Sequence, residues 1–137
     1  MANKKSVLAW FGNANEDLFA ARWLRESKNQ KSFVQIAFHC QQVIEKAFKG
    51  FLTFHNKKFE KTHNIREIMG FVIHIDSSLD DVLKPTAELT PFAVAFRYPD
   101  ALKRELTISD IDRLIALTEK AYKEILSRIP FDSPLDI

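Results

Sequence analysis

The run from Ser32 to Phe54 limits the possible fold more than any other part of the chain. Phe33, Ile36, Ala37, Cys40, Val43, Ile44, Ala47, Phe48 and Phe51 recur there in steps of three and one. That spacing gathers apolar side chains on one helix face, whereas a half-buried strand would alternate with a period of two. A helix of about six turns with so wide an apolar face must be covered by other elements. The rest of the chain therefore has to supply surfaces of matching length.

The sparse punctuation points the same way. The 137 residues include 3 Gly and 5 Pro, so glycine is about 2% against a usual 7% or so. Few tight turns are available, which argues for a handful of long helices over the many short strands of an all-β fold. With 46% apolar and 28% charged residues, the chain suits one globular domain with one core. The expected architecture is all-α: an antiparallel up-and-down bundle of four to five helices in a single domain, 1–137. Its core runs from about residue 6 to 128, followed by a short tail over 129–137 that holds Pro130 and Pro134.

Four further helical segments are expected. The first spans about Ser6 to Glu26, with Val7, Trp10, Phe11, Ala14, Leu18 and Ala21 on one face. Leu8, Phe19 and Trp23 form a second apolar stripe roughly 120° away, which makes this helix either central in the bundle or shared with another subunit. A third segment, His63 to about Ile75, is expected to be capped by Thr62 and to bury Ile65, Ile68, Met69 and Val72. Leu79 to Tyr98 contains Pro85 and Pro91. It is either one kinked helix or ends in a short helix that starts at Pro91 with Thr90 as cap. Ser109 to about Arg128 closes the bundle with Ile111, Leu114, Ile115, Thr118, Ala121, Tyr122 and Ile125, and offers Glu119–Lys123 as a surface pair.

Net charge is +2, so no overall field selects nucleic acid. The charge is nonetheless polarised: 12 Lys/Arg and 6 Asp/Glu lie in residues 1–69, against 8 and 12 in residues 70–137. Such a molecule can hold an anion through its first half or pair with a partner. One cysteine, Cys40, rules out an internal disulfide, and its place on the apolar face reads as a small buried hydrophobe. His39, His55, His63 and His74 do not fall at metal spacing with it, so no metal and no cofactor is expected. No segment reaches the ~18 uncharged apolar residues of a membrane span. A cytoplasmic protein without a membrane partner is expected.

Two polar constellations stand out. His39, Gln42, Lys46 and Lys49 recur at i, i+3, i+7 and i+10 on the face opposite the stripe of the second helix. An imidazole, an amide and two ammonium groups in one row suit a phosphate or nucleotide, and equally suit a solvated face. Gln41 and Glu45 flank the apolar arc, where they would tie helices together by buried hydrogen bonds. Phe38 lies inside the polar arc, a position that suggests contact with a second chain. The other constellation is Phe96-Arg97-Tyr98-Pro99-Asp100. There Arg97 could grip phosphate oxygens in bidentate fashion, with Asp100 orienting it and Tyr98 beside it; a simple helix stop explains the same residues.

Taken together, these fragments resemble a known family. Asn15-Glu16-Asp17-Leu18-Phe19-Ala20-Ala21, then Phe38-His39-Cys40-Gln41-Gln42-Val43-Ile44-Glu45-Lys46-Ala47-Phe48-Lys49, then Thr62-His63-Asn64-Ile65 and Arg97-Tyr98-Pro99-Asp100 are similar, in order and spacing, to the HEPN domain family. The resemblance implies a helical bundle that forms homodimers. It also implies partnership with a minimal nucleotidyltransferase, as in prokaryotic pairs that act as toxin–antitoxin systems, and nucleotide or RNA binding. In ribonuclease members four to six residues separate an arginine from the histidine that follows it, and RNA is cut without metal.

In this chain the arginine position is Arg97, but Leu102, Lys103 and Arg104 stand where the histidine would, and no histidine follows His74. The usual proton carrier is thus missing, and the reading leans away from an enzyme. By position, the resemblance assigns nucleotide binding to Arg97, Tyr98 and Asp100, with His39, Gln42, Lys46 and His63 as the opposing wall. Arg97 would be catalytic only in a ribonuclease. The expected function is a binding module. The alternatives are a divergent metal-independent ribonuclease toxin and a non-catalytic dimerising adaptor.

Overall fold

The computed structural model describes residues 3–27, 30–95, 98 and 105–131. Helix α1 (Lys4–Glu26) is capped by Asn3, whose side chain accepts from the Ser6 amide. After a 3-10 turn at Gln30–Ser32 the chain returns as α2 (Phe33–Phe54). Helix α3 (Ile65–Ile75) follows, then α4 (Asp80–Leu83) and α5 (Phe92–Ala95), single turns joined by 3-10 segments at Ser77–Leu79 and Lys84–Leu89. Helix α6 (Ile108–Ser127) begins in a capping box, with Thr107 and Asp110 satisfying each other's orphan amides. Among the described residues there is no strand. The molecule is an all-α helical bundle, as the pattern predicts.

Helix α2 is the central element. It packs against α1, α3, α5 and α6, and of its 22 residues only Gln35 is exposed. The stripe from Phe33 to Phe51 is buried throughout. The α1–α2 pair is antiparallel. Gly50 lies against Phe11 with room for nothing larger, since a Cβ there would sit 2.8 Å from the ring. Closer to the middle, Asp17 reaches His39 and Lys46. Phe11 then packs against Tyr122 of α6 and against Phe131, and the Tyr122 hydroxyl donates to the Phe11 carbonyl at 3.1 Å and to Asn15. Arg22 to Glu119 (2.8 Å) and Arg25 to Asp112 (2.6 Å) fix the antiparallel register of α1 and α6.

Several expectations need correction. The cap of α3 is Asn64, not Thr62. Asn64 has extended backbone (φ −81°, ψ 102°), and its Oδ1 accepts from the Arg66 and Glu67 amides, while the Thr62 hydroxyl accepts from the Asn64 amide one turn earlier. Two residues separated by His63 could cap, and the better acceptor at the extended position takes the role. His63 therefore stands outside the helix. Leu79–Tyr98 is not one kinked helix. Pro85 opens a 3-10 segment, where its missing N–H costs nothing, and Pro91 directly precedes α5. Thr90 does not cap α5, since its buried hydroxyl has no partner among the described residues. Glu119 pairs across to Arg22 instead of with Lys123.

The α1 stripe also divides differently. Val7, Phe11, Ala14, Leu18 and Ala21 are buried, while Phe19 and Trp23 stand out in solvent. Helix α2 rather than α1 is the centre. It stops at His55 because Asn56 adopts the left-handed region (φ 56°). The Asn56 and Lys57 amides then satisfy the carbonyls of Thr53 and Leu52 in a Schellman closure.

Candidate functional site

The polar row of α2 is not a wall of free cations. Two carboxylates organise it. Asp17, on α1, occupies the inward arc between Ala14 and Ala21 and has a side chain only 12% exposed. Its Oδ1 lies 2.8 Å from His39 Nδ1, and its Oδ2 accepts from Lys46 Nζ at 2.6 Å. One turn along α2, Glu45 is buried. Its Oε1 accepts from Gln41 Nε2 at 2.9 Å and its Oε2 from Lys49 Nζ at 3.0 Å. His63 Nδ1 meets both Glu45 oxygens, at 3.1 and 3.0 Å. Gln42 Nε2 donates to Gln41 Oε1 at 2.6 Å. This bond adds Gln42 to the Glu45 cluster, which lies beside the Asp17 cluster.

This geometry alters the electrostatics expected of the row. Lys46 and Lys49 each face a carboxylate, so their charges are compensated within the protein. Lys49 is placed on the outer face by its spacing, but it is buried, with its ammonium 5.7 Å from the Trp10 ring centre. The reason is local: α1 and the Phe59 segment close over this side of α2, with Trp10 edge-on to Phe59. A buried ammonium survives there only because Glu45 one turn earlier pairs with it. Gln41 and Glu45 do tie elements together, through His63 and the approach to α3.

The groups left to meet a ligand are therefore few and specific. An ionised carboxylate only accepts, so Nδ1 of His39 donates to Asp17, and the second ring nitrogen, Nε2, has no partner among the described residues. The ring is 26% exposed. Lys46 spends one of three N–H donors on Asp17, and its side chain is 24% exposed. The His63 side chain is 76% exposed apart from its edge on Glu45. Phe38 is half-buried with its ring edge-on to His39.

Tyr98 is exposed, its amide donating to the Val94 carbonyl at 3.0 Å. Arg97 and Asp100, with Leu102, Lys103 and Arg104, lie outside the described residues. The structure thus brings His39 and Lys46 together on Asp17, and gathers Gln42 and His63 in a second cluster through Gln41 and Glu45. Asp17 is the organising residue that sequence reading passed over. Its signal was a carboxylate set inside the apolar arc of α1.

Cys40 is fully buried beside Thr118, and burial pushes its thiol up to about 12, so it holds its proton at neutral pH. Burial likewise raises the Tyr122 hydroxyl. No helix among the described residues is long and apolar enough to cross a membrane.

A family model described as the HEPN domain matches residues 7–129 of this chain. No curated protein and no solved structure matches it.

Proposed function

The chain belongs to the HEPN domain family, and from that premise we propose that it binds a nucleotide or an RNA phosphate. In this reading it acts as a cytoplasmic homodimer and partners a minimal nucleotidyltransferase in a toxin–antitoxin pair. The observation that supports the reading is the Asp17–His39 pair, 2.8 Å apart. Asp17 holds the ring so that Nε2 can accept from a hydroxyl or, in the imidazolium, donate to a phosphate oxygen, and Lys46, bonded to the same carboxylate, has N–H donors to spare. Charge compensation by Asp17 and Glu45 makes this face selective through geometry rather than through bulk positive charge. Arg97, Tyr98 and Asp100 complete the proposed set from sequence.

The test is titration of the purified protein with ATP and with a short RNA oligonucleotide. Saturable binding is expected. Arg97→Ala should abolish it without changing the melting temperature, and His39→Gln should weaken it by about tenfold, or roughly 1.4 kcal/mol. Unchanged affinity in both variants would refute the reading. Coexpression with a nucleotidyltransferase encoded beside it should give a complex that survives size exclusion.

One observation favours a second reading, a metal-independent ribonuclease. An imidazole oriented by a buried carboxylate is the arrangement a general base requires, and His39 would supply the proton carrier missing after Arg97. RNA cleavage in EDTA that vanishes in Arg97→Ala and in His39→Gln would establish it. Neither binding nor cleavage would leave the dimerising adaptor.

A further inference from the structure

The outward face of α1 carries a feature that the proposed site does not use. Phe19 and Trp23 are 67% and 69% exposed, and their rings stack on each other at 6.2 Å with 22° between planes. Glu16 and Glu26 are exposed and bracket them. At about 100° per residue the four side chains fall within an arc of about 80°. Their spacing of three, four and three residues is the seam spacing by which one helix packs along another. The cations of this stretch, Arg22 and Arg25, are turned to α6 and held by Glu119 and Asp112. Neither Glu16 nor Glu26 makes a direct ion pair among the described residues, although the charge of Glu26 reaches the neighbouring Arg25.

A second copy is a poor occupant for this ridge. In an antiparallel two-fold packing centred between Phe19 and Trp23, Glu16 of one copy lies across from Glu26 of the other, twice. In a parallel packing each glutamate faces its own counterpart. Both arrangements place two carboxylate pairs at the ends of the seam, and like charges across a helix contact are repulsive. A helix with apolar side chains at its centre and arginine or lysine about ten residues apart has the opposite sign at both ends. It matches the carboxylates, which stand about 15 Å apart at 1.5 Å per residue, and its guanidinium groups also suit the indole face. We infer that this ridge docks a basic amphipathic helix of a different protein. The inference goes beyond the nucleotide-binding reading and does not depend on it.

The chain has two tryptophans, so labelling with 5-fluorotryptophan gives one ¹⁹F signal from the ridge and one internal control from Trp10. The probe is a synthetic helical peptide with leucines at i+3 and i+7 and arginines at i and i+10. Its titration should move the Trp23 signal saturably and leave that of Trp10 in place. Trp23→Ala should lower affinity by about tenfold or more, as an interface aromatic does, and Glu16→Gln with Glu26→Gln by about threefold or more. All three side chains are exposed, so the variants keep the fold, which a thermal melt verifies.

The same peptide with glutamate replacing both arginines should not bind. Equal binding of both peptides, or a still Trp23 signal, overturns the inference. So does a wild-type dimer that Trp23→Ala splits in sedimentation, because the occupant is then a second copy. A Trp23 shift produced by phosphatidylglycerol vesicles and not by the peptide overturns it as well.

Discussion

Gly50 offers the sharpest test of how the bundle is assembled, because the chain has three glycines and all three lie within helices. Replacing a helical glycine with alanine gains about 0.5–1 kcal/mol by restricting the unfolded chain. At Gly12 and Gly70 an added Cβ meets nothing within 4 Å, so each substitution should realise that gain. At Gly50 the Cβ would lie 2.8, 3.0 and 3.1 Å from three ring carbons of Phe11. That ring cannot swing clear, since it is fully buried against Tyr122 and Phe131.

Relief must come from moving α1 away from α2, and such overpacking costs about 1–3 kcal/mol. The net effect of Gly50→Ala is therefore a loss of about 1–2 kcal/mol, a fall of roughly 4–8 °C in Tm for a domain of this size. Urea unfolding of the three variants should give opposite signs for Gly50 on one side and Gly12 and Gly70 on the other. In a Phe11→Leu background Gly50→Ala should lose most of its penalty, giving a coupling of about 1 kcal/mol. If Gly50→Ala were as stable as Gly12→Ala, the close approach of α1 and α2 would be wrong.

Three other perturbations probe the interior. Asp17→Ala leaves Lys46 and His39 without their shared acceptor. A fully buried pair would cost about 3–5 kcal/mol, but both partners are about a quarter exposed and rehydrate, so about 2 kcal/mol is expected in urea. Tyr122→Phe removes a hydroxyl that donates to Phe11 and Asn15 and should cost about 1–1.5 kcal/mol by the same measurement. Cys40 links stability to alkaline pH. Its thiol ionises near 9 when unfolded and near 12 when folded, so below pH 9 both states keep the proton. As pH rises from 9 towards 12 only the unfolded chain releases it, and stability falls by up to about 1.4 kcal/mol per unit. The alkaline slope should be shallower by that amount in Cys40→Ala, and equal slopes would contradict the burial argument.

What was legible in the sequence followed from local periodicity. The stripe of α2 names its buried residues because a helix with one apolar face has one way to turn. The Leu79–Tyr98 region was illegible because its prolines fit 3-10 turns and helix starts equally well. Thr62 and Asn64 compete for the same cap, and only the backbone angles at Asn64 decide between them. The polar row was readable as a row but not as a charge distribution. Lys49 meets Glu45 four residues earlier on the same helix, but whether Lys46 faces solvent or a carboxylate depends on the register of α1 against α2, which no window within α2 encodes. Asp17 and His39 are 22 residues apart, and their meeting is a property of the packed pair.

The enclosure of α2 has a consequence for amide exchange. Opening any part of this helix exposes Phe33–Phe51 and separates it from α1, α3, α5 and α6 together, so its amides exchange only when the whole domain unfolds. His39, Gln42 and Lys46 are thus mounted on the slowest-exchanging part of the molecule. Adjustment to a ligand falls to the elements around them, above all the single turns α4 and α5 and the chain leading into α3. Deuterium uptake with and without nucleotide should change in those segments and stay constant in α2.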